Sequence, residues 1–569
     1  MSRPKSRWVF TSAPDTDAIA KLAEQLGVDT SVARLLLQRG YGEPESAKRF
    51  LRPRLDQLHD ASMMMSLDVA VERLVRAIRG GELIMIHGDY DVDGICSTTL
   101  LVRAIRGFGG NVVPFIPNRL TDGYDLGDAG VARAIELGAR VVVTCDCGTS
   151  ALGPVAALNA AGIDVVISDH HLSRGEMPDS LALLNPRRAA CDYPDKDLAA
   201  VGVAFKLALA LARAIGVNDA FIWKMLDLVA LATVADVASL RGENRVFVRY
   251  GMKMISETEN LGLRALLRSS GMDGKPLTAG RIGFTLAPRL NAAGRLGHAL
   301  RGVELLLSET QAEANVIARE LEELNQRRQA LDRATLDEAR IHADNMMRAD
   351  AMGLVIAQEG WHPGVIGIVA SRIVEEYCRP AVLIAMDGET GKGSGRSVSG
   401  FDLHSALGEC ADHLLRFGGH RAAAGVTVAA SQLDAFTRRF DEVARSRLTD
   451  DELAPALRID ADVELDSATL DMDVMLRHFE PYGVGNPAPV FAARNVVALG
   501  SPRLIGKDGI KLTLLGASGT QIEAIGWGMA PLAALIVPGA VLDVAFRLER
   551  DEYHGVSRLQ ARLADIVVR

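Results

Sequence analysis

Between residues 67 and 168 the chain alternates short, unbroken apolar runs with amphipathic stretches, and no other feature restricts its fold as much. An amphipathic segment (68–79) leads into "LIMI" (83–86), and a helix is expected after Gly94. There follow "NVVPFI" (111–116), a helix over "DAGVARAIELG", "RVVVTC" (140–145), a helix near 151–161 and "IDVVIS" (163–168). Strands this short and apolar, separated by helices, belong in a parallel sheet covered on both faces. Residues 199–232, rich in Ala and Leu, read as buried helices.

The chain has 569 residues, too many for one core, so several domains are expected. The pattern divides it into a helical, polar N-terminal region (1–66), an α/β domain (67–305), a connecting helix (306–350), a smaller α/β domain (351–452) and a β-rich C-terminal domain (453–569). The connecting helix is read from a charged, glycine-free stretch, "ETQAEANVIARELEELNQRRQALDRATLDEARIHAD". The β-rich domain is read from "IKLTLL", "VLDVAFRL" and "RLQARLADIVV", which alternate at period two, as a small barrel or sandwich does. Its segment around Arg558, Gln560 and Arg562 offers one polar, basic face.

The longest apolar run, "MLDLVALATVADVASL", is interrupted by Asp227 and Asp236, so no membrane span is expected. "MSRPKSRWVF" lacks the apolar core of a secretion signal. Six cysteines in so long a chain make no disulfide framework, which points to a reducing cytoplasm. A net charge of −9 excludes a uniformly basic nucleic-acid binder but not one with a local basic groove. From Thr278 to Gly302 there are four arginines (281, 289, 295, 301) and no acid.

The stretch "IHGDYDVDGICSTTL" (86–100) places Asp89, Asp91 and Asp93 at alternate positions. An EF-hand would need a bidentate Glu at loop position twelve, and Leu100 stands there. The preceding segment is also a strand rather than a helix. Asp91 and Asp93 instead follow the end of a strand, Asp146 follows "VVVTC", and Asp169, His170 and His171 follow "IDVVIS". Loops at the carboxyl ends of parallel strands converge on one crevice. Asp236 in "ATVADVAS", after a buried helix, could close the ring.

Two carboxylates about 4 Å apart repel by roughly 4 kcal/mol at an effective dielectric near 20. Several together must take up protons or a divalent cation. Carboxylates with one imidazole suit Mn²⁺ or Mg²⁺ better than zinc. Bridging acids can hold two ions roughly 3.5–4 Å apart, the arrangement used in phosphoester hydrolysis. Taken singly, Asp146 reads as a helix N-cap and His170 as a turn histidine. Cys145 and Cys147 read as small packed side chains rather than as zinc ligands.

"GDYDVDG", "TCDCG", "SDHH" and "VADV", in this order, resemble the motifs of the DHH phosphoesterase superfamily. "PRLNAAGRLGHA", "GSGRS…FGGHRAAAG" and "PYGVGNPAPVF" are similar to its RecJ branch, exonucleases that degrade single-stranded DNA from the 5′ end. The resemblance extends over nearly the whole chain. It implies a DHH domain with a mainly parallel sheet, a DHHA1-type substrate-binding domain and an OB-fold at the C-terminus. It further implies metal ligation by Asp91, Asp93, Asp146, His170 and Asp236, with His171 beside the metals and touching substrate phosphate. His87 and Asp89 stay open, as ligands or as their supports. "GYDLGDAG" departs from the branch, with Asp125 where glycine commonly follows the Gly-Tyr pair.

For the rest of the substrate, Arg295 in "NAAGRLG" leads the arginine segment, since guanidinium grips phosphate bidentately. "GKGSGRS" (391–397) is not a Walker A loop, because Lys392 precedes glycine rather than Ser or Thr. By resemblance Ser394 and Arg396 would bind the 5′-terminal phosphate with help from Arg119. Tyr124 would stack on a base, and Gly419 and His420 would meet substrate near the metals. The implied reaction is hydrolysis assisted by two Mn²⁺ or Mg²⁺ ions, which lower the pKa of a shared water and stabilise charge on the phosphate. A 5′-mononucleotide leaves; the setting is DNA repair and recombination, with a helicase and a single-strand-binding protein as partners. Two rivals remain: a DHH enzyme for short oligonucleotides or cyclic dinucleotides, and a non-catalytic single-strand-binding scaffold.

Overall fold

The computed structural model describes residues 6–119, 121–123, 125–173, 175–449, 453–553 and 556–569. The chain forms two compact units, one of residues 45–326 and 478–488, the other of the remainder.

The first unit is built on a five-stranded sheet, all parallel, in the order Asn111–Phe115, Leu83–Gly88, Val141–Cys145, Asp164–Ser168, Ala182–Leu184. Successive side chains on a strand point to opposite faces. Ile84, Ile86, Val141 and Val143 therefore join one core, with helices Val92–Gly107, Ala200–Ile215 and Leu226–Ala235. Met85, Val142, Val165 and Ile167 join a second, with helices Asp128–Leu137 and Leu152–Ala160. Burial on both faces explains the unbroken apolar runs. The strand Ala182–Leu184 was not expected; three residues carry too little period to register.

One expected boundary shifts at the acid loop. The helix starts at Val92, not after Gly94, because the Asp91 carboxylate accepts from Asp93 N (2.9 Å) and Gly94 N (3.2 Å) and caps it. Gly94 then lies inside the first turn, where a Cβ would come within 2.3 Å of Asp89 O.

In the second unit a mixed sheet runs in the order Arg416–Gly419, Ala423–Ala429, Thr390–Arg396, Ala381–Asp387, Leu354–Glu359, with only the last pair parallel. A seven-stranded sheet covers residues 461–568, and its strand Phe491–Ala498 also pairs with Gly509–Leu515, curling the sheet toward closure as an OB-fold requires. Arg558 and Arg562 are exposed there, whereas Gln560 is buried and donates to Glu523 (2.9 Å). The N-terminal region is not wholly helical: Arg7–Phe10 forms a parallel pair with Ala456–Ile459. Local pattern could not show a partner so distant in sequence. Helix Gln311–Arg348 contributes residues to both units. Among the described residues no helix is long and apolar enough to cross a membrane.

Candidate metal centre

The strand ends of the parallel sheet deliver acids and imidazoles to one place. Ligand atoms of Asp89, Asp91 and Asp146 lie within 4.8 Å of one another, as do those of Asp146, His170 and His171, and those of Asp93, His170 and Asp236. The three groups overlap at Asp146 and His170, so they form one continuous set. All five expected ligands belong to it, together with His171 and Asp89. His87 belongs to none of these groups among the described residues. Its ring is buried against Phe115, with Nδ1 3.6 Å from Cys147 Sγ, and burial lowers its pKa to about 4.

Each donor is held by its local backbone. Asp93 accepts from Ala200 N (3.0 Å) and Val201 N (2.8 Å), the first amides of helix Ala200–Ile215, where the helix dipole favours an anion. Asp146 sits in the left-handed region (φ 65°), and its N–H donates to Ser168 O (3.0 Å). It is not an N-cap; the next helix begins at Leu152. Asp236 caps the C-terminus of helix Leu226–Ala235. His170 Nε2 lies 3.2 Å from Asp146 Oδ1 and 3.8 Å from Asp236 Oδ2.

The electrostatics ask for a cation. Burial, then the charge of Asp91, pushes Asp93 up to about 7. Burial, then Asp93, pushes Asp236 up to about 8. Asp89 and Asp146 are also raised, by burial first and neighbouring carboxylates second. Burial and His171 depress His170 to about 3, leaving a neutral imidazole suited to a metal. The buried Oδ1 atoms of Asp89 and Asp146 accept no hydrogen bond. Buried, unpartnered carboxylate oxygens surrounded by like charge fit a hard divalent ion. Cys145 and Cys147 are buried, with their thiol pKa values raised by burial, which suits packing rather than ligation.

Three supporting roles escaped the sequence reading. Asp169 follows its strand as the sequence pattern predicts, and its role is to hold the two histidines after it. Its carboxylate accepts from Thr149 N (3.0 Å), His170 N (2.7 Å) and His171 Nδ1 (2.7 Å). Burial works against an imidazolium, yet Asp169 outweighs it and raises His171 to about 9. Asn185 donates to His171 O (2.7 Å) and Thr149 Oγ1 (3.1 Å). Asp125 stands at φ 76°, in the conformation glycine adopts freely, and accepts from Gly148 N (2.7 Å). It thereby ties down the loop that bears Asp146. For Asn185 and Asp125 the partners lie more than ten residues away in sequence, so no local motif marks them.

The expected substrate residues divide between the units. In the first, the Arg119 guanidinium lies 4.8 Å from the ring centre of Tyr90, a residue of the acid loop. Helix Ala287–Leu296, which carries Arg295, leans on the same loop, since a Cβ on Gly294 would lie 2.3 Å from Tyr90 O. Two arginines of the acid-free segment are taken by acids: Arg289 by Glu322 (2.5 Å) and Arg301 by Glu320 (2.5 Å), both from helix Gln311–Arg348, and Arg301 also by Glu304 (2.5 Å) one turn along its own helix. Tyr124 lies outside the described residues.

In the second unit, Arg396 Nη1 donates to Ser394 Oγ (3.0 Å). Both face the start of helix Ile366–Tyr377, because a Cβ on Gly367 would meet Ser394 Oγ at 2.9 Å and Arg396 Nη2 at 3.1 Å. Guanidinium, hydroxyl and helix N-terminus are each groups of a chemistry able to receive a phosphate. Gly419 and His420 form the turn beside this end of the sheet, with Ala423 in register with Arg396. Gly419 (φ 147°) admits no side chain, because a Cβ would fall 2.4 Å from Ala424 Cα.

A family model described as the DHH family N-terminal domain matches residues 83–233, and the DHHA1 domain model matches residues 350–446. Acids and imidazoles at the strand ends of the first domain, with the second following it, define the class as DHH proteins. The RecJ OB domain model matches residues 459–565. The protein named single-stranded-DNA-specific exonuclease RecJ from Bacillus subtilis is 36% identical over 572 residues, 100% of this chain and 72% of its own. That of Escherichia coli is 35% identical, with coverages of 94% and 95%. The crystal structure of Thermus thermophilus RecJ in complex with Mn²⁺ matches with a TM-score of 0.85 at 32% identity, covering 99% of this chain and 79% of that one. The same protein in complex with Mg²⁺ matches with a TM-score of 0.79 at 31% identity, covering 99% and 78%. The chain belongs to the RecJ family.

Proposed function

We propose that the chain is a metal-dependent exonuclease that hydrolyses single-stranded DNA from the 5′ end and releases 5′-mononucleotides. The observation that carries this reading is the set of overlapping donor groups, every expected position of which is filled. A non-catalytic scaffold has no use for so many buried like charges. The OB domain, absent from an enzyme that needs only two catalytic domains, favours a long strand over a dinucleotide.

Asp91, Asp93, Asp146, His170 and Asp236, with Asp89, would hold two Mn²⁺ or Mg²⁺ ions. Those ions, when bound, supply Lewis-acid stabilisation of the phosphate and an acidified water. Asp169 fixes the His171 ring through Nδ1, so that His171 presents its cationic edge to the scissile phosphate. Arg295 and Arg119 would hold neighbouring phosphates as charged, planar donors. Ser394 and Arg396 would receive the phosphate at the 5′ terminus, and Gly419 and His420 would meet the substrate strand. Six free cysteines, five of them buried, fit a reducing cytoplasm. An enzyme that needs unpaired DNA must follow strand separation, which makes a helicase and a single-strand-binding protein the classes of partner.

The test is digestion of 5′- and 3′-labelled single strands and duplexes with Mn²⁺, Mg²⁺ or chelator. Release of the 5′ label as mononucleotide, from single strands only and only with metal, is expected. Release from the 3′ end first, or digestion in chelator, contradicts the proposal. In the same assay Arg396→Ala should lose the preference for a 5′-phosphorylated end; an unchanged preference removes Arg396 from that role.

A further inference from the structure

The arginine segment contains one turn that breaks the regular helix. Residues Ile282–Leu286 form a π-helical turn between the short helix Ala279–Arg281 and helix Ala287–Leu296. Such turns are rare and concentrate at functional sites. This one carries Phe284, a residue 88% exposed, the most exposed large apolar residue among those described. A phenylalanine left in water forgoes the burial that usually justifies it.

Its surroundings are specific. Gly283 packs on helix Leu226–Ala235, where a Cβ would lie 3.6 Å from Val234 Cγ1, two residues before Asp236. At its other end the segment meets the acid loop through Gly294 and Tyr90. Phe284 is therefore borne by a segment packed at both ends on elements that deliver metal-site carboxylates. Val237, directly after Asp236, is held at φ 61° with its side chain 64% exposed. A β-branched residue in the left-handed region is a strained arrangement, found where function over-determines the backbone. No acid occurs from residue 278 to 302, and the acids that reach the segment, Glu304, Glu320 and Glu322, are paired with Arg289 and Arg301.

We propose that Phe284 is a base-stacking residue for single-stranded DNA, receiving the face of a nucleobase close to the scissile phosphate. The proposal rests on the reading of the chain as a single-strand nuclease and assigns that reading a selectivity device. An exposed ring on a fixed turn offers one aromatic face at little entropic cost. An unpaired base can present its own face to it, whereas a base inside a duplex has both faces covered by its neighbours. Stacking tolerates every base, as a non-specific nuclease needs.

The experiment compares wild type with Phe284→Ala, Phe284→Leu and Phe284→Trp on a single strand carrying one tetrahydrofuran (baseless) residue at successive positions. Wild type should slow when the baseless residue reaches the stacking position. Phe284→Ala should raise KM about tenfold to a hundredfold, the range measured for loss of one stacked base. Its loss should fall in KM rather than kcat, and its rate should no longer depend on where the baseless residue lies. Phe284→Trp should restore the dependence and Phe284→Leu should not. Thermal stability should be the same in all four, since the ring buries little. A wild-type KM in Phe284→Ala, a retained positional dependence, or full rescue by leucine overturns the assignment. Those outcomes leave the nuclease reading standing; only a wild type inactive on every strand with Mn²⁺ removes both.

Discussion

Asp146 combines a costly backbone with a costly side chain. Its φ of 65° lies in a region where most residues are strained by roughly 1–2 kcal/mol, and Asn and Asp least. Its carboxylate is buried among other acids, with one oxygen that accepts no hydrogen bond. Asparagine keeps the backbone preference and volume while removing the charge. Asp146→Asn should therefore fold normally by circular dichroism and lose metal-dependent hydrolysis by at least about a hundredfold, as for loss of a transition-state charge contact. Turnover within a fewfold of wild type would contradict the role given to Asp146. Asp125 acts one step removed. Asp125→Ala loses the acceptor for Gly148 N, and Asp125→Asn retains one. The alanine variant should be destabilised by about 1–3 kcal/mol, the cost of a buried amide left unpaired, with the asparagine variant close to wild type in thermal melts. Equal melting of all three would show that the bond does not hold the loop. The ligands were legible because each lies in a short motif at the end of a strand or helix. Asn185 and Asp125 were not, because their partners at Thr149, His171 and Gly148 are brought near only by folding, and Asp169 was legible as an acid of its motif but not as the partner of the His171 ring.

Loops at the carboxyl ends of the parallel strands carry the centre, and their charge should register in stability. Asp93 and Asp236 have pKa values of about 7 and about 8, above the ordinary carboxylate value near 4. Between the unfolded and folded values the native state binds more protons, so the metal-free protein loses stability as pH rises through that window. A divalent ion takes the deprotonated form and opposes the loss. The metal-free melting temperature should thus be lower at pH 8 than at pH 5.5, and Mn²⁺ should raise it more at pH 8. An equal gain at both pH values would mean that these acids do not hold the ion. At this scale the sequence was legible where elements are long and periodic. The parallel strands, the buried helices and the helix Gln311–Arg348 all declared themselves. Hidden were the strand Arg7–Phe10, whose partner lies some 450 residues away, and the π-helical turn, which no apolar period encodes. The acid-free arginine segment misled in part, since Glu320 and Glu322 reach it from another helix.

As a whole the chain joins a DHH domain, a DHHA1 domain and an OB domain in the order of the RecJ proteins. It offers a cluster of acids and imidazoles at the strand ends of a parallel sheet, a guanidinium and a hydroxyl at the end of a mixed sheet, and an OB domain. The proposed hydrolysis requires the first of these to bind divalent metal. Anomalous scattering from crystals soaked in Mn²⁺ tests that most directly. Two peaks ringed by the carboxylates of Asp89, Asp91, Asp93, Asp146 and Asp236 and the imidazole of His170 are the predicted result. A map with no peak there, at a concentration that supports full activity, would contradict it.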